Sequence, residues 1–128
     1  ANGRGGAAVM ALGAAGAQVG PAYLLCPGAN TSAVHRAALQ SPAAGHTALT
    51  TLFSGRPARS FVNRVIRELS PLSAPTPAFP LAALAIAPLR AKAESLGSGD
   101  FSPLWSGQNA SGCKAIGAAA LTLELAGG

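Results

Sequence analysis

The chain has 128 residues, 49% of them hydrophobic, 10% charged and 5% aromatic, with a net charge of +5. This length suits one domain and excludes a complete eight-stranded α/β barrel, which takes about 250 residues. Two separated cysteines, Cys26 and Cys113, with no CxxC and no nearby histidine pair, exclude a zinc ribbon and fit buried thiols in a reducing compartment.

Much of the apolar content is alanine. Burial is worth roughly 25 cal/mol per Å², so a core of small side chains is expected to be marginal on its own. The chain opens at Ala1, not Met, inside a helix start. It is therefore expected to be a partial sequence that leans on a missing N-terminal portion. No acid occurs before Glu68. That basic balance favours anionic ligands such as phosphates, small carboxylates or nucleic acid, without choosing among them.

In chain order, Asn2 is a candidate N-cap for a helix over residues 3–15, with Gly16 as its stop. Residues 5–26 carry no charge, but their glycines, Gln18 and Pro21 argue against a membrane span. Ala17-Gln18-Val19-Gly20 reads as a short buried strand. Ser32 caps a helix over residues 33–39, ended by Ser41-Pro42. Residues 47–53 read as a strand, and Ser54-Gly55-Arg56-Pro57 as a turn. Phe61, Val62, Val65, Ile66 and Leu69 fall on one face of a predicted helix. The prolines of residues 70–80 predict an extended connector. A helix over residues 81–96 should be kinked or split by Pro88. Gly97-Ser98-Gly99-Asp100 is a turn, and residues 101–112 form a loop with the only tryptophan. Residues 118–126 read as a closing helix, although alternation of Leu121, Leu123 and Leu125 leaves a strand open.

Several motifs bear on chemistry. Gly3-Arg4-Gly5-Gly6-Ala7-Ala8 fits G-x-G-x-x-A, but no acid follows at the spacing that a dinucleotide fold needs for the ribose. It reads as a close-packed helix start. Gly20 ends its strand without a Cβ, so a phosphate could reach its backbone N–H; an ordinary tight turn is the plainer alternative. Phe53-Ser54-Gly55-Arg56-Pro57-Ala58-Arg59, with Arg64 and Arg67, could grip an anion or form a solvated basic face. His35 and His46 lack a neighbouring acid, and no G-x-S-x-G occurs, so both read as structural or surface residues. Trp105, beside Gly107-Gln108, either lines a pocket or packs its loop on the core.

Taken in order, these segments resemble one family. Asn2-Gly3-Arg4-Gly5 with Gly13-Ala14-Ala15-Gly16-Ala17-Gln18-Val19-Gly20 resembles the end of the flavin barrel in nitronate monooxygenases, once called 2-nitropropane dioxygenases. Ser54-Gly55-Arg56-Pro57-Ala58-Arg59, Asn63-Arg64, Pro77-Ala78-Phe79-Pro80-Leu81, Gly97-Ser98-Gly99-Asp100-Phe101 and Trp105-Ser106-Gly107-Gln108 follow in the family's order. The resemblance implies an α/β fold, the C-terminal fragment of a (β/α)8 TIM-type barrel, mostly helical with a few short strands. Residues 1–30 would be the last barrel helix and strand eight, and residues 31–128 an extension packed on the barrel. It implies a cytoplasmic FMN enzyme that oxidises small anionic alkyl nitronates, such as propionate 3-nitronate, with O2 to nitrite and a carbonyl product. No nucleic acid or membrane partner is implied. The family's flavin-phosphate segment, Gln-x-Gly-Thr, falls on Gln18, Val19, Gly20 and Pro21. Pro21 departs from it and removes one N–H and one hydroxyl, each worth about 1.5–3 kcal/mol if bonded to a charged group. The Gly-Gly-His segment that supplies the family's catalytic histidine matches neither His35 nor His46, so no catalytic residue is assigned. Two alternatives remain: a flavin-dependent enoyl-ACP reductase of the same barrel fold, and a non-catalytic basic module for nucleic acid or another anion.

Overall fold

The computed structural model describes residues 2–127. Ala1 and Gly128, the outer ends of the two expected regions, lie outside the described residues. Helix α1 (Gly3–Ala11) begins where Asn2 accepts the Gly5 N–H at 2.9 Å. It ends four residues earlier than the composition suggests. Its C-cap is Leu12, and Gly13 follows at φ 93°, a left-handed conformation that glycine adopts without strain. Residues 17–19, expected as part of a strand, make no backbone hydrogen bond within the described chain. A strand takes its hydrogen bonds from neighbouring strands, and this segment has none among the described residues. The chain then makes one turn of helix, α2 (Pro21–Leu24), and helix α3 (Ala33–Leu39), whose N-cap Ser32 accepts from His35 N.

After a 3-10 turn over Pro42–Gly45, strands β1 (Thr47–Thr50) and β2 (Ala58–Phe61) pair antiparallel, with Thr47 opposite Phe61 and Thr50 opposite Ala58. Strand β1 stops short of the expected 53. The Leu52 N–H turns onto Thr50 Oγ1, and the Gly55 N–H bonds the Thr51 carbonyl at 2.8 Å. The Ser54-Gly55 turn requires its glycine. Gly55 sits at φ 82°, and a Cβ there would meet the Phe79 nitrogen at 2.3 Å.

The helix expected from Phe61 to Leu69 starts later, as α4 (Arg64–Leu69). Periodicity misassigns its first residues because tertiary bonds claim their backbone. The Phe61 N–H bonds the Leu104 carbonyl at 2.9 Å, and the Val62 N–H bonds the His46 carbonyl at 3.1 Å. Asn63 then caps α4 by accepting from Ile66 N, while its Nδ2 donates to Gly99 O at 2.9 Å and Ser102 O at 3.0 Å. One buried side chain thus starts a helix and ties down a distant turn.

Helix α5 (Leu81–Ser95) runs through Pro88 without splitting. The missing Pro88 N–H leaves the Leu84 carbonyl without its helical partner. Leu84 is 70% exposed, so the break falls at a solvent-facing position of the helix. Helix α6 (Ala118–Ala126) closes the chain against α1 and resolves the strand alternative.

The core is three small clusters. Leu25, Leu39, Phe61 and Leu104 form one; Leu52, Phe53, Val65 and Ile66 a second; Ala22, Cys26 and Leu121 a third. Both cysteines are free thiols packed on the third cluster, as expected. Burial pushes the Cys113 thiol above its usual range. No helix among the described residues is long and apolar enough to cross a membrane.

Asn63→Ala should lower thermal stability by about 2–4 kcal/mol, since it removes a helix cap and leaves the Gly99 and Ser102 carbonyls without their donor. Asn63→Asp, which retains the cap but turns a carboxylate on those two carbonyls, should be no more stable than the alanine variant. Urea midpoints of the three proteins check both outcomes.

Candidate functional site

The loop at residues 104–106 is fastened to the free edge of β2. Ser60 and Trp105 form an antiparallel bridge, flanked by Phe61 N–H to Leu104 O and Ser106 N–H to Arg59 O. His35 on α3 reinforces it, with Nε2 at 3.0 Å from the Trp105 carbonyl. A carbonyl only accepts, so Nε2 carries the proton and the ring is held in that tautomer. The His35 ring also meets Phe61 edge-on at 6.2 Å. Burial holds its pKa below the ordinary value, outweighing the opposing bond to Trp105. His35 is therefore held by one backbone bond and by packing on Phe61, with its neutral form favoured.

A second fastening fixes α2. The Arg36 guanidinium donates to the carbonyls of Ala29 at 2.7 Å, Cys26 at 3.0 Å, Leu25 at 3.1 Å and Thr31 at 3.3 Å. These bonds satisfy carbonyls after α2 that no helix or strand uses. Sequence reading missed this clamp, because nothing local distinguishes Arg36 from a surface arginine.

Together the two fastenings shape a depression of about 310 Å³. Gly20 and Pro21 form one wall, Ala58 and Arg59 a second, Trp105 and Ser106 a third. Of the four residues carried over as a flavin-phosphate segment, two reach this cavity. Gln18 is exposed, and Val19 packs on the third core cluster. A Cβ built on Gly20 would meet no protein atom within 4 Å, and its φ of −110° is open to any residue. Neither packing nor backbone strain within the described chain calls for a glycine there.

The cavity holds unspent hydrogen-bonding groups. The Ser106 hydroxyl is buried with no partner, a condition that costs about 1–3 kcal/mol. The Gly20 N–H has no backbone partner among the described residues. Arg59 spends Nη1 on Thr47 Oγ1 at 3.2 Å and pairs with no acid among them. The other basic residues of that motif go elsewhere. Arg56 stacks on Phe79 at 4.3 Å, and Arg64 pairs with Glu68 at 2.8 Å. Trp105 also lines a larger cleft of about 510 Å³ against α5. Its ions, Arg90 and Glu94, pair with each other at 2.8 Å. The Ser102 hydroxyl and Arg90 together hold the Glu94 carboxyl below the usual range. Among the described residues no cluster of His, Cys, Asp or Glu could hold a metal ion.

A family model described as nitronate monooxygenase matches residues 1–126. The chain belongs to the nitronate monooxygenase family. It is 39% identical over 125 residues to the nitronate monooxygenase of Pseudomonas aeruginosa, a match covering 97% of this chain and 36% of that protein. It is 36% identical over 105 residues to the probable nitronate monooxygenase of Bacillus subtilis, covering 82% of this chain and 30% of the relative. A crystal structure of the nitroalkane oxidase from Streptomyces ansochromogenes superposes with a TM-score of 0.87 at 38% identity, over 98% of this chain and 36% of that one. The chain thus spans about a third of the length of these nitronate monooxygenase relatives, and its architecture of helices around a small sheet is shared with that structure.

Two outcomes test the fastenings. Arg36→Lys keeps the charge but cannot fork to four carbonyls, so the unfolding midpoint should fall, by about 2–3 kcal/mol. For His35, the native pKa lies below the unfolded value of 6.5. The unfolded chain therefore binds the extra proton first, and stability should drop as pH falls through that value until the native ring also protonates. His35→Gln should remove this component of the slope between pH 7.5 and 5.5, read as the difference in urea midpoints from the parent chain.

Proposed function

We propose that this chain is the C-terminal portion of an FMN-dependent nitronate monooxygenase, in which residues 1–30 close a (β/α)8 barrel and residues 31–128 pack on it. One observation carries the reading: Gly20 and Pro21 converge with Arg59 and Ser106 on a single cavity. Its donors suit the phosphate end of a flavin. The orphaned Ser106 hydroxyl, the free Gly20 N–H and the open space over Gly20 all fit an anionic oxygen arriving from outside the chain. Pro21 gives no N–H, so the donor set is smaller than the Gln-x-Gly-Thr pattern implies.

When bound, the flavin would supply the redox chemistry for oxidation of an alkyl nitronate with O2 to nitrite and a carbonyl product. This chain's own residues would bind and orient its phosphate. The apolar wall of Pro21, Leu24 and Trp105 would exclude water from that end. The net charge of +5 suits both the phosphate and an anionic nitronate such as propionate 3-nitronate. Exposed leucines on α5 and α6, such as Leu84 at 70% and Leu123 at 75%, support a further packing surface against the rest of a barrel. Neither histidine lines the cavity, so neither is assigned a role at the phosphate end. The free thiols fit a cytoplasmic setting.

A protein that joins this chain to the remaining barrel should release nitrite from propionate 3-nitronate in the presence of FMN and O2. NAD(P)H-dependent reduction of an enoyl thioester without nitrite would favour the reductase alternative. The 128-residue chain alone should bind FMN weakly and show no turnover; tight stoichiometric binding would contradict the proposed division of the barrel.

A further inference from the structure

The basic run around Ser54-Gly55-Arg56 contains several arginines, and the fold sorts them. Arg56 is stacked on Phe79 and Arg64 is paired with Glu68. Arg67 stands on the exposed side of α4. Arg59 alone among them lines the cavity that Gly20, Pro21 and Ser106 share. It is half-buried, and Thr47 Oγ1 holds one end of its guanidinium at 3.2 Å. Its Nε and Nη2 make no hydrogen bond among the described residues. Guanidinium donors not used within the fold are available to an acceptor that enters the cavity, and a charge-assisted bond there is stronger than a neutral one. An oxyanion with several oxygens suits them, because guanidinium geometry matches phosphate.

We infer that Arg59, positioned by Thr47 and assisted by the Ser106 hydroxyl, is the cationic anchor for the flavin's phosphate monoester. The inference rests on the flavin proposal above, and it gives the phosphate a partner that the Gln18-to-Pro21 segment does not contain. Arg59 sits 38 residues beyond Pro21 and reaches the cavity through strand β2. It offsets the N–H and hydroxyl that Pro21 does not supply.

Trp105 is the only tryptophan and lines the cavity, so its indole N–H gives one NMR signal that reports occupancy there. The Gly20 amide gives a second. FMN and riboflavin, which differ only by the phosphate, are titrated into the 128-residue chain at matched concentrations within riboflavin's solubility. FMN should move both signals and bind more tightly than riboflavin, roughly ten- to hundredfold, as one charge-assisted contact allows. Arg59→Gln should erase that preference, read as the ratio of the two dissociation constants. Arg59→Lys should recover part of it, and Thr47→Val, which frees the guanidinium without removing it, should weaken it. If Arg59→Gln and Thr47→Val both keep the parent preference for FMN, the Arg59 assignment is overturned and the flavin proposal stands. If FMN at millimolar concentration moves neither Gly20 nor Trp105, the cavity takes no flavin phosphate and the Arg59 anchor is overturned, while nitrite release by the joined protein remains the test of the flavin proposal. Inorganic phosphate that moves both signals as strongly as FMN would mean a plain anion site, which also overturns the inference.

Discussion

The arrangement depends on two main-chain hydrogen bonds along the outer edge of β2, from the Phe61 N–H to Leu104 O and from the Ser106 N–H to Arg59 O. They turn a two-stranded hairpin into a strand flanked on both sides. A bare hairpin has little stability in water. Here the third segment is an irregular loop whose bridge at Ser60 and Trp105 covers the open edge of β2. The same bonds bring Arg59 and Ser106 to one cavity from segments far apart in sequence. If the loop were released, the site would lose a wall and β2 would lose the pairing on its outer edge.

Polar fastenings carry unusual weight because the core has few large side chains. Only 5% of residues are aromatic, and the buried clusters hold Phe53 and Phe61 among alanines and leucines. Arg36, Asn63 and His35 each bind backbone groups that regular structure does not use. Such bonds contribute about 1 kcal/mol each when made, and more is lost when one partner is deleted. Much of the apolar surface that remains exposed lies on helices and at their ends, including Leu12 at 87% and Leu96 at 72%. The sheet with its loops forms most of the cavity wall.

The distribution of arginines separates structure from binding. Those tied to carbonyls, to an aromatic ring or to a carboxylate have their charge already used within the fold. Arg59 is held at one end and open at the other, the condition expected of a ligand anchor rather than of a surface cation. Gly20 shows the complementary condition: nothing in the chain occupies the space where its side chain would be. An open cation and an open glycine line one cavity, and the proposed flavin site rests on that arrangement.

The amino-acid sequence by itself determined what is local. The caps at Asn2 and Ser32, the Gly55 turn, the proline-rich connector and the helices on either side of it follow from backbone preferences within a few residues. The family was also legible, because its segments occur in a fixed order along the chain. Tertiary structure alone decided that Phe61 ends a strand instead of opening a helix, and that residues 17–19 stay unpaired within the described chain. It alone placed Arg59, not Arg56, beside Gly20. The physical reason is range. A cap or turn is satisfied by atoms two to four residues away, whereas the partner of His35 lies 70 residues on and that of Asn63 lies 36 and 39 residues on. Which distant carbonyl a donor meets depends on how the whole chain packs, and no local pattern encodes it.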